Sequence, residues 1–255
     1  MPRYPLRALV LRKTKLGETD AIVALLSSEG KNVRAVGKGM RKPGSKVGGR
    51  LEPFCLVDML LYSGRSLDTI VEAETVEVHR GIRSDYDRST AAAVVVDVLD
   101  KLSVEGLGEP RLYGLGLASL AAIEHAPAER LEALLVGFLV KAMAMHGHRP
   151  VLGSCAGCAC DTLHAADQRF SLAEGGMLCR ACKPRFHDTA AISLEARLLL
   201  DRLFGMTMQQ IASDTAELDP RHVAESFKLM QAFVKYHVPA RIKALDYYSR
   251  PTDAF

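Results

Sequence analysis

The chain of 255 residues is long enough for one large or two modest domains, and with 48% apolar residues it can bury a sizeable core. Its net charge of +3 hides an asymmetry: residues 1–50 carry twelve Lys/Arg against three Asp/Glu, a net charge of +9, whereas the rest of the chain carries −6. The N-terminal sequence has no apolar run of signal-peptide length. The most apolar later segment, Leu131 to Met145, contains the charged residues Glu132 and Lys141 and is too short to span a bilayer. These features exclude a secreted or membrane protein and predict a cytosolic chain whose basic N-terminal part meets a polyanion.

The first 80 residues carry the pattern of β-strands. Five runs rich in Val, Leu and Ile are separated by turn signals such as Leu16-Gly17, Glu29-Gly30 and Ser63-Gly64. Five short strands in so short a segment predict a small barrel; the five-stranded OB-fold is the leading candidate, and an SH3-like barrel would give much the same pattern. The predicted strands are Leu6–Lys13, Ala21–Ser28, Lys31–Lys38, Leu51–Tyr62 and Leu67–His79.

A basic stretch without any acidic residue begins in the third predicted strand. Arg34 and Lys38 lie on the same side of an extended strand, and the segment R-K-P-G-S-K-V-G-G at Arg41–Gly49 is expected to be a mobile loop able to wrap a nucleic-acid backbone. A solvated strand face is the alternative, but uncompensated positive charge on such a barrel favours nucleic-acid binding. The predicted DNA-binding residues are Lys31, Arg34, Lys38, Arg41, Lys42, Lys46 and Arg50, with Arg12, Lys13 and Lys15 added to the same surface.

Aromatic side chains are scarce in this N-terminal part. Residues 1–80 contain only Tyr4, Phe54 and Tyr62 as candidates for base stacking, and the whole chain has no Trp. We therefore expect binding to depend mainly on phosphate contacts and to show little sequence preference.

From Ser84 onward the periodicity is helical. Ser84 or Asp85 is expected to cap a helix that continues through Ala91–Leu102, and Ser193 and Pro220 suit the beginnings of later helices. The predicted fold class is α+β multidomain, with an OB-fold barrel in residues 1–80 and a helical domain in residues 81–255. Further helices are predicted at Arg111–Glu124, Ala128–His146, Ser193–Phe204 and Arg221–Tyr236.

Two Cys-x-x-Cys pairs interrupt the helical part at about residues 150–186. Cys155 and Cys158 form the first pair, and Cys179 and Cys182 form the second. This spacing is typical of a structural, four-thiolate zinc site, and a reducing compartment favours metal over disulfides. Buried reduced thiols are the other alternative. Cys160 is a fifth sulfur that leaves the choice within the first group open, and His164 and His187 are possible substitutes. The predicted ligands are Cys155, Cys158, Cys179 and Cys182, because a Cys-x-Cys bite is less usual.

Motifs of common enzyme classes are missing from the sequence. There is no G-x-x-x-x-G-K-[ST] phosphate loop, no H-E-x-x-H and no G-x-S-x-G. We therefore expect a binding protein rather than an enzyme.

With these residues in view, the chain resembles the bacterial RecO family of recombination mediators. The resemblance runs through almost the whole length and is most specific in A-L-V-L-R at Ala8–Arg12, L-G-E-T-D at Leu16–Asp20, S-S-E-G-K at Ser27–Lys31 and the run Val36–Phe54; the two cysteine pairs also stand where the family often has them. It departs from the family at Cys160, where glycine is common, and this affects only the choice of ligands.

The resemblance implies an OB-fold, a helical domain with an embedded zinc knuckle, and a cytoplasmic, nucleoid-associated protein. It also implies binding of single- and double-stranded DNA, annealing of complementary strands, and action with RecR to load RecA onto strands coated by single-stranded-DNA-binding protein. The acidic tail of that coating protein would need an apolar groove with a basic rim, for which Lys228 and Lys235 are the predicted rim. A zinc-bearing OB accessory factor of RNA metabolism is the alternative function, and a nuclease with an unrecognised site is the third.

Overall fold

The computed structural model describes residues 2–45, 47–162 and 169–248, so that Lys46 and His164 lie outside the described residues. The chain divides into two compact units, Met1–His125 and Ala126–Phe255. Among the residues that are described, no helix combines the length and the apolar character needed to cross a membrane.

The first unit begins with a closed five-stranded barrel. The strand order is β1-β2-β3-β5-β4, and β4 pairs with β1 to close it. All pairings are antiparallel except the short one between β3 and β5. This arrangement is that of an OB-fold, and it confirms the predicted fold class. The strands are β1 (Arg3–Leu16), β2 (Asp20–Ser27), β3 (Asn32–Gly37), β4 (Leu56–Tyr62) and β5 (Asp68–Glu77).

Three helices complete the same unit: α1 (Arg80–Arg83), α2 (Tyr86–Leu102) and α3 (Pro110–His125). Asp85, rather than Ser84, caps α2, because its side chain accepts a hydrogen bond from the backbone N–H of Arg88. Helix α2 packs on β1 and β2, so its apolar face covers part of the barrel. The domain boundary predicted between residues 80 and 81 lies close to the point where the strands end and the helices begin. The first compact unit of the structure, in contrast, continues to His125.

A close backbone contact joins the β2–β3 turn to the segment between α2 and α3. Gly30 has a positive φ of 78°, and a Cβ atom at this position would lie 2.1 Å from the carbonyl oxygen of Glu109. The backbone N–H of Asn32 also donates to the carbonyl of Val104 over 3.4 Å. Glycine is therefore needed at position 30 both for its backbone conformation and for space.

The second unit is built around α4 (Leu131–Met145), which follows a 3-10 turn at Ala128–Arg130. Its apolar residues are distributed around the whole helix, as expected for a helix surrounded by others, and it packs against three neighbours. Ser193 and Asp219 cap two of the helices, and Pro220 occupies the first position of α7 as predicted. The later helices are α5 (Leu194–Gly205), α6 (Met208–Ser213), α7 (Pro220–His237) and α8 (Lys243–Tyr248).

The cysteine-containing segment adds a small sheet that the sequence did not predict. Its order is β6-β8-β7-β9, with β6 and β8 parallel. Strands of three to five residues are too short to display a period-2 pattern, so the helical domain contains strands that sequence reasoning missed. They are β6 (Val151–Cys155), β7 (Arg169–Ser171), β8 (Gly176–Leu178) and β9 (Thr189–Ala191).

Candidate metal centre and nucleic-acid surface

The parallel strands β6 and β8 bring the two Cys-x-x-Cys segments together. Cys155 ends β6 and is in register with Met177 of β8, and Cys179 follows directly after β8. Each segment then turns tightly: the N–H of Ala159 donates to the carbonyl of Cys155 over 2.7 Å, and that of Cys182 to the carbonyl of Cys179 over 3.1 Å. Because both strands end on the same side of the sheet, the two turns face each other.

The thiols lie close enough together to share one ion. The Sγ atoms of Cys155, Cys158, Cys160 and Cys179 all lie within 4.8 Å of one another, and those of Cys158 and Cys179 are 3.7 Å apart. Four sulfurs arranged tetrahedrally at about 2.3 Å from zinc would be separated by about 3.8 Å. The donor atoms therefore fit a tetrahedral thiolate site.

Cys182, which was predicted as the fourth ligand, is buried beside this group, and its thiol interacts with the side chains of Cys158, Cys179 and Cys155. The structure thus gathers five thiols, and Cys160 belongs to the group of four within 4.8 Å. The set with Cys182 stays a prediction, with Cys160 as the competing ligand. Within the described residues this group consists of cysteines only, and exposed His187 is not part of it.

Hydrogen bonds from backbone N–H groups and from neighbouring thiols shift the pKa values of the cysteines. The pKa of Cys179 falls to about 6, chiefly because the backbone N–H of Cys182 hydrogen-bonds its sulfur. The thiol neighbours Cys158 and Cys179 instead raise the pKa of Cys160 and of Cys182 to about 12. The thiolate form is thus favoured at Cys179, and the thiols whose pKa is raised would release protons when an ion binds.

An apolar patch seals the inner side of the cluster. Cys155 and Cys182 pack with Leu178, and Phe186 lies against them. On the outer side, Cys158 and Cys160 are exposed, and between them Ala159 adopts a left-handed conformation with φ of 60°. The centre is therefore half enclosed, with one wall open to solvent.

The basic surface lies on the outer face of β1, β2 and β3. Arg12 is opposite Ala24, and Ala24 is opposite Arg34, so that the two arginines flank Ala24 on the same face. Two strand spacings separate them by about 10 Å. The next row on this face contains half-buried Ile22 and Val36, which sequence reasoning did not assign to the surface.

Four of the ten predicted cations are exposed and have no hydrogen-bond or ion-pair partner among the described residues. Arg34 lies in β3, and Lys15 lies in the ladder row that contains Ala21 and Gly37. This row lies at the end of β3, and Lys38 and Lys42 follow in the chain after it. We call these residues the four free cations: Lys15, Arg34, Lys38 and Lys42.

Asp20 fixes the backbone of the turn that follows β3, next to Lys38 and Lys42. Its carboxylate accepts a hydrogen bond from the N–H of Gly39 over 2.8 Å, which is the main reason that its pKa is lowered, and Lys38 and Lys42 add to the effect. Asp20 of L-G-E-T-D therefore has a structural role, because it fixes the beginning of the basic loop.

Three other predicted cations form ion pairs. Arg12 lies 3.2 Å from the buried carboxylate of Asp100 in α2. Lys13 contacts Glu52 over 2.7 Å, and Lys31 contacts Glu29 over 2.5 Å. Their charges are partly neutralised within the protein.

The segment that follows β3 is anchored at its two ends, and the mobility expected for residues 41–49 stays a prediction. Met40 and Leu51 are buried in the barrel core. Arg41 donates to the carbonyls of Gly17 and Glu18 over 3.0 and 2.9 Å, and Arg50 donates to the carbonyl of Ala73 over 2.9 Å. Two apolar side chains that flank the polar, glycine-rich segment thus pack in the barrel core and fix its ends.

The aromatic residues contribute little stacking surface. Tyr4 donates a hydrogen bond from its hydroxyl to Asp68, and burial raises its pKa, followed by the effect of that bond. Phe54 is half-buried with a positive φ of 74°, and Tyr62 is 39% exposed. Tyr62 is thus the most accessible of the three side chains.

The two lysines predicted as a basic rim are both exposed, but one of them is already paired within the protein. Lys235 pairs with Asp246 over 2.8 Å. Leu229 and Phe233, which lie near these lysines along α7, are buried in the core at 3% and 0% exposure and do not line an open groove. Of the two lysines, Lys228 has no ion pair among the described residues, and the rim itself stays a prediction.

Comparisons with known proteins cover both units. The family model described as "Recombination protein O N terminal" matches residues 1–79, and "Recombination protein O C terminal" matches residues 83–246. The DNA repair protein RecO of Nocardioides sp. is 37% identical over 256 residues, which cover 97% of this chain and 99% of that protein. The DNA repair protein RecO of Frankia casuarinae is 38% identical over 256 residues, which cover 98% and 100%.

Proposed function

The chain belongs to the RecO family of recombination proteins, and we propose that it acts in DNA repair and recombination by binding single- and double-stranded DNA. The name shared by its relatives supports the role in repair. Its own sequence and surface support the mode of binding.

The observation that carries this proposal is the set of four free cations on and just after strands β1 and β3. Arg34 lies on the outer face of β3, and Lys38 and Lys42 follow this strand beyond the ladder row of Lys15. Cations without an ion pair inside the protein can release counterions from a phosphate backbone, which drives binding with little dependence on sequence. The strand β2–β3 face is also the surface through which OB-folds bind oligonucleotides.

Strand annealing follows from the same chemistry. Neutralising phosphates of two strands on one protein lowers their mutual repulsion, so that complementary sequences can meet and pair. No covalent bond is made or broken, and the proposal requires no catalytic residue. The finer part of the proposal is that the chain works with RecR to load RecA onto strands coated by single-stranded-DNA-binding protein.

We further propose that the cysteine cluster holds one structural zinc ion. Four thiolate ligands fill the coordination sphere of zinc and leave no position for substrate. The ion would tie the turn after β6 to the turn after β8, and its binding free energy would also be folding free energy of the second unit.

The test is annealing of complementary DNA oligonucleotides without a nucleotide cofactor. We expect the wild type to anneal DNA, and Arg34→Ala with Lys38→Ala to anneal it more slowly. Arg80→Ala with Lys243→Ala is the matched control, because both residues are exposed cations outside the barrel strands. A wild type that binds and anneals RNA but not DNA would favour the RNA accessory function, and metal-dependent cleavage would favour a nuclease.

A further inference from the structure

The cysteine cluster contains one thiol more than a tetrahedral ion can use. Tetrahedral zinc takes four ligands, whereas Cys155, Cys158, Cys160, Cys179 and Cys182 all contribute thiols to the cluster. We propose that Cys160 and Cys182 are interchangeable as the fourth ligand, and that the other three cysteines serve in both arrangements. This inference rests on the proposed zinc ion.

The three shared ligands are fixed by the small sheet. The Sγ atoms of Cys158 and Cys179 lie 3.7 Å apart, and the backbone N–H of Cys179 donates to the Sγ of Cys155 over 3.3 Å. Both contacts are independent of which further thiol completes the site.

Cys182 provides the inner fourth position. It is 4% exposed and packs with Cys155 and Phe186. A Cβ atom on Gly157 would lie 3.1 Å from its Sγ, so the glycine lets the first turn approach this thiol. Its thiol also interacts with those of Cys158 and Cys179.

Cys160 provides the outer fourth position. The N–H of Cys155 donates to the carbonyl of Cys160 over 2.8 Å, which closes the turn, and Ala159 adopts the left-handed backbone that this turn needs. Its Sγ consequently lies within 4.8 Å of the three shared thiols although its side chain is exposed. The two alternative ligands therefore adjoin the same three sulfurs, and exchange between them leaves the sheet in place.

Zinc content of single and double variants tests the inference. We expect one zinc per chain in the wild type, in Cys160→Ser and in Cys182→Ser, and none in the double variant. Each single variant should keep its zinc affinity within about tenfold of the wild type. Loss of a ligand without a substitute should lower the zinc affinity more than roughly 100-fold, because loss of a hydrogen-bond partner of a ligand can alone lower it by roughly 100-fold. Cys55→Ser is the matched control, because Cys55 is a buried cysteine of the barrel outside the cluster.

Alkylation with iodoacetamide followed by mass spectrometry gives a second readout that does not depend on activity. In the zinc-loaded wild type Cys160 should be modified, whereas in Cys182→Ala zinc should protect Cys160 from modification. The Co²⁺-substituted single variants should keep the charge-transfer bands of a four-sulfur site, which also shows that the centre is folded.

The outcomes separate the inference from its premise. Loss of zinc from Cys182→Ser and Cys182→Ala, with Cys160 still reactive, would make Cys160 a bystander and overturn the inference alone. Loss of zinc from Cys160→Ser would likewise overturn it, because Cys182 would then be unable to replace Cys160. A wild type purified without chelators that contains no zinc would overturn the metal assignment and the inference with it.

Discussion

Replacement of two free cations should change how DNA affinity depends on salt. If the four free cations each neutralise one phosphate, the slope of log affinity against log salt should be about −2.8 for single strands, since each contact contributes about −0.7. Arg34→Ala with Lys38→Ala should reduce this slope to about −1.4. Between 50 and 200 mM salt, affinity should then fall about 7-fold in the variant and about 50-fold in the wild type.

Fluorescence anisotropy with labelled oligonucleotides of several sequences, titrated at four or more salt concentrations, measures both slopes. The control Arg80→Ala with Lys243→Ala removes the same charge and should keep the wild-type slope. An unchanged slope in the Arg34/Lys38 variant would mean that DNA follows another surface. A loss confined to some sequences would mean that bases are read directly, and phosphate tracking would be refuted.

Three further variants test the structure elsewhere. Cys179→Ser should lose zinc and lower the Tm of the second unit by about 10 °C, measured by calorimetry, while DNA binding by the barrel is retained; an unchanged Tm would contradict a structural ion. Ala159→Gly should raise the free energy of unfolding by about 0.5 kcal/mol in urea titrations, because relief of a left-handed alanine outweighs the greater entropy of the unfolded glycine; destabilisation would argue against the observed turn. Burial raises the pKa of Asp100, but Lys101 and Arg12 outweigh it and hold that pKa below its usual value. The ionised form therefore stabilises the fold above the unfolded pKa of about 3.9, and this stabilisation disappears as the pH falls through the lower folded pKa. Asp100→Asn should cost about 2 kcal/mol at pH 7 and progressively less in acid, and a difference independent of pH would refute the ion pair.

The barrel and the long helices were predictable because their periods extend over many residues. The predictions for Ser193 and Pro220 succeeded because capping chemistry is local. The four strands around the cysteines and the helices α6 and α8, with six residues each, are too short to display a period. In these segments tertiary contacts rather than local pattern decide the structure.

The candidate sites show the same limit. Clustering of the cysteines followed from their spacing, but the position of Cys160 depends on the backbone of Ala159, which the sequence does not reveal. Composition suggested a mobile basic loop, but local composition does not show that the residues at its two ends, Met40 and Leu51, are buried in the barrel core. The pairing of Arg12 with Asp100 joins residues far apart in the chain, so charge counts alone could not separate paired from free cations.

The contact of Gly30 with Glu109 bears on how this chain can be divided. A fragment that stops near residue 80 loses the segment against which the β2–β3 turn is seated, together with the α2 face that covers β1 and β2. Newly exposed apolar surface would then favour aggregation. Exchange of modules between relatives should accordingly join the sequences after His125, where the first compact unit ends, so that the barrel keeps the helices with which it folds.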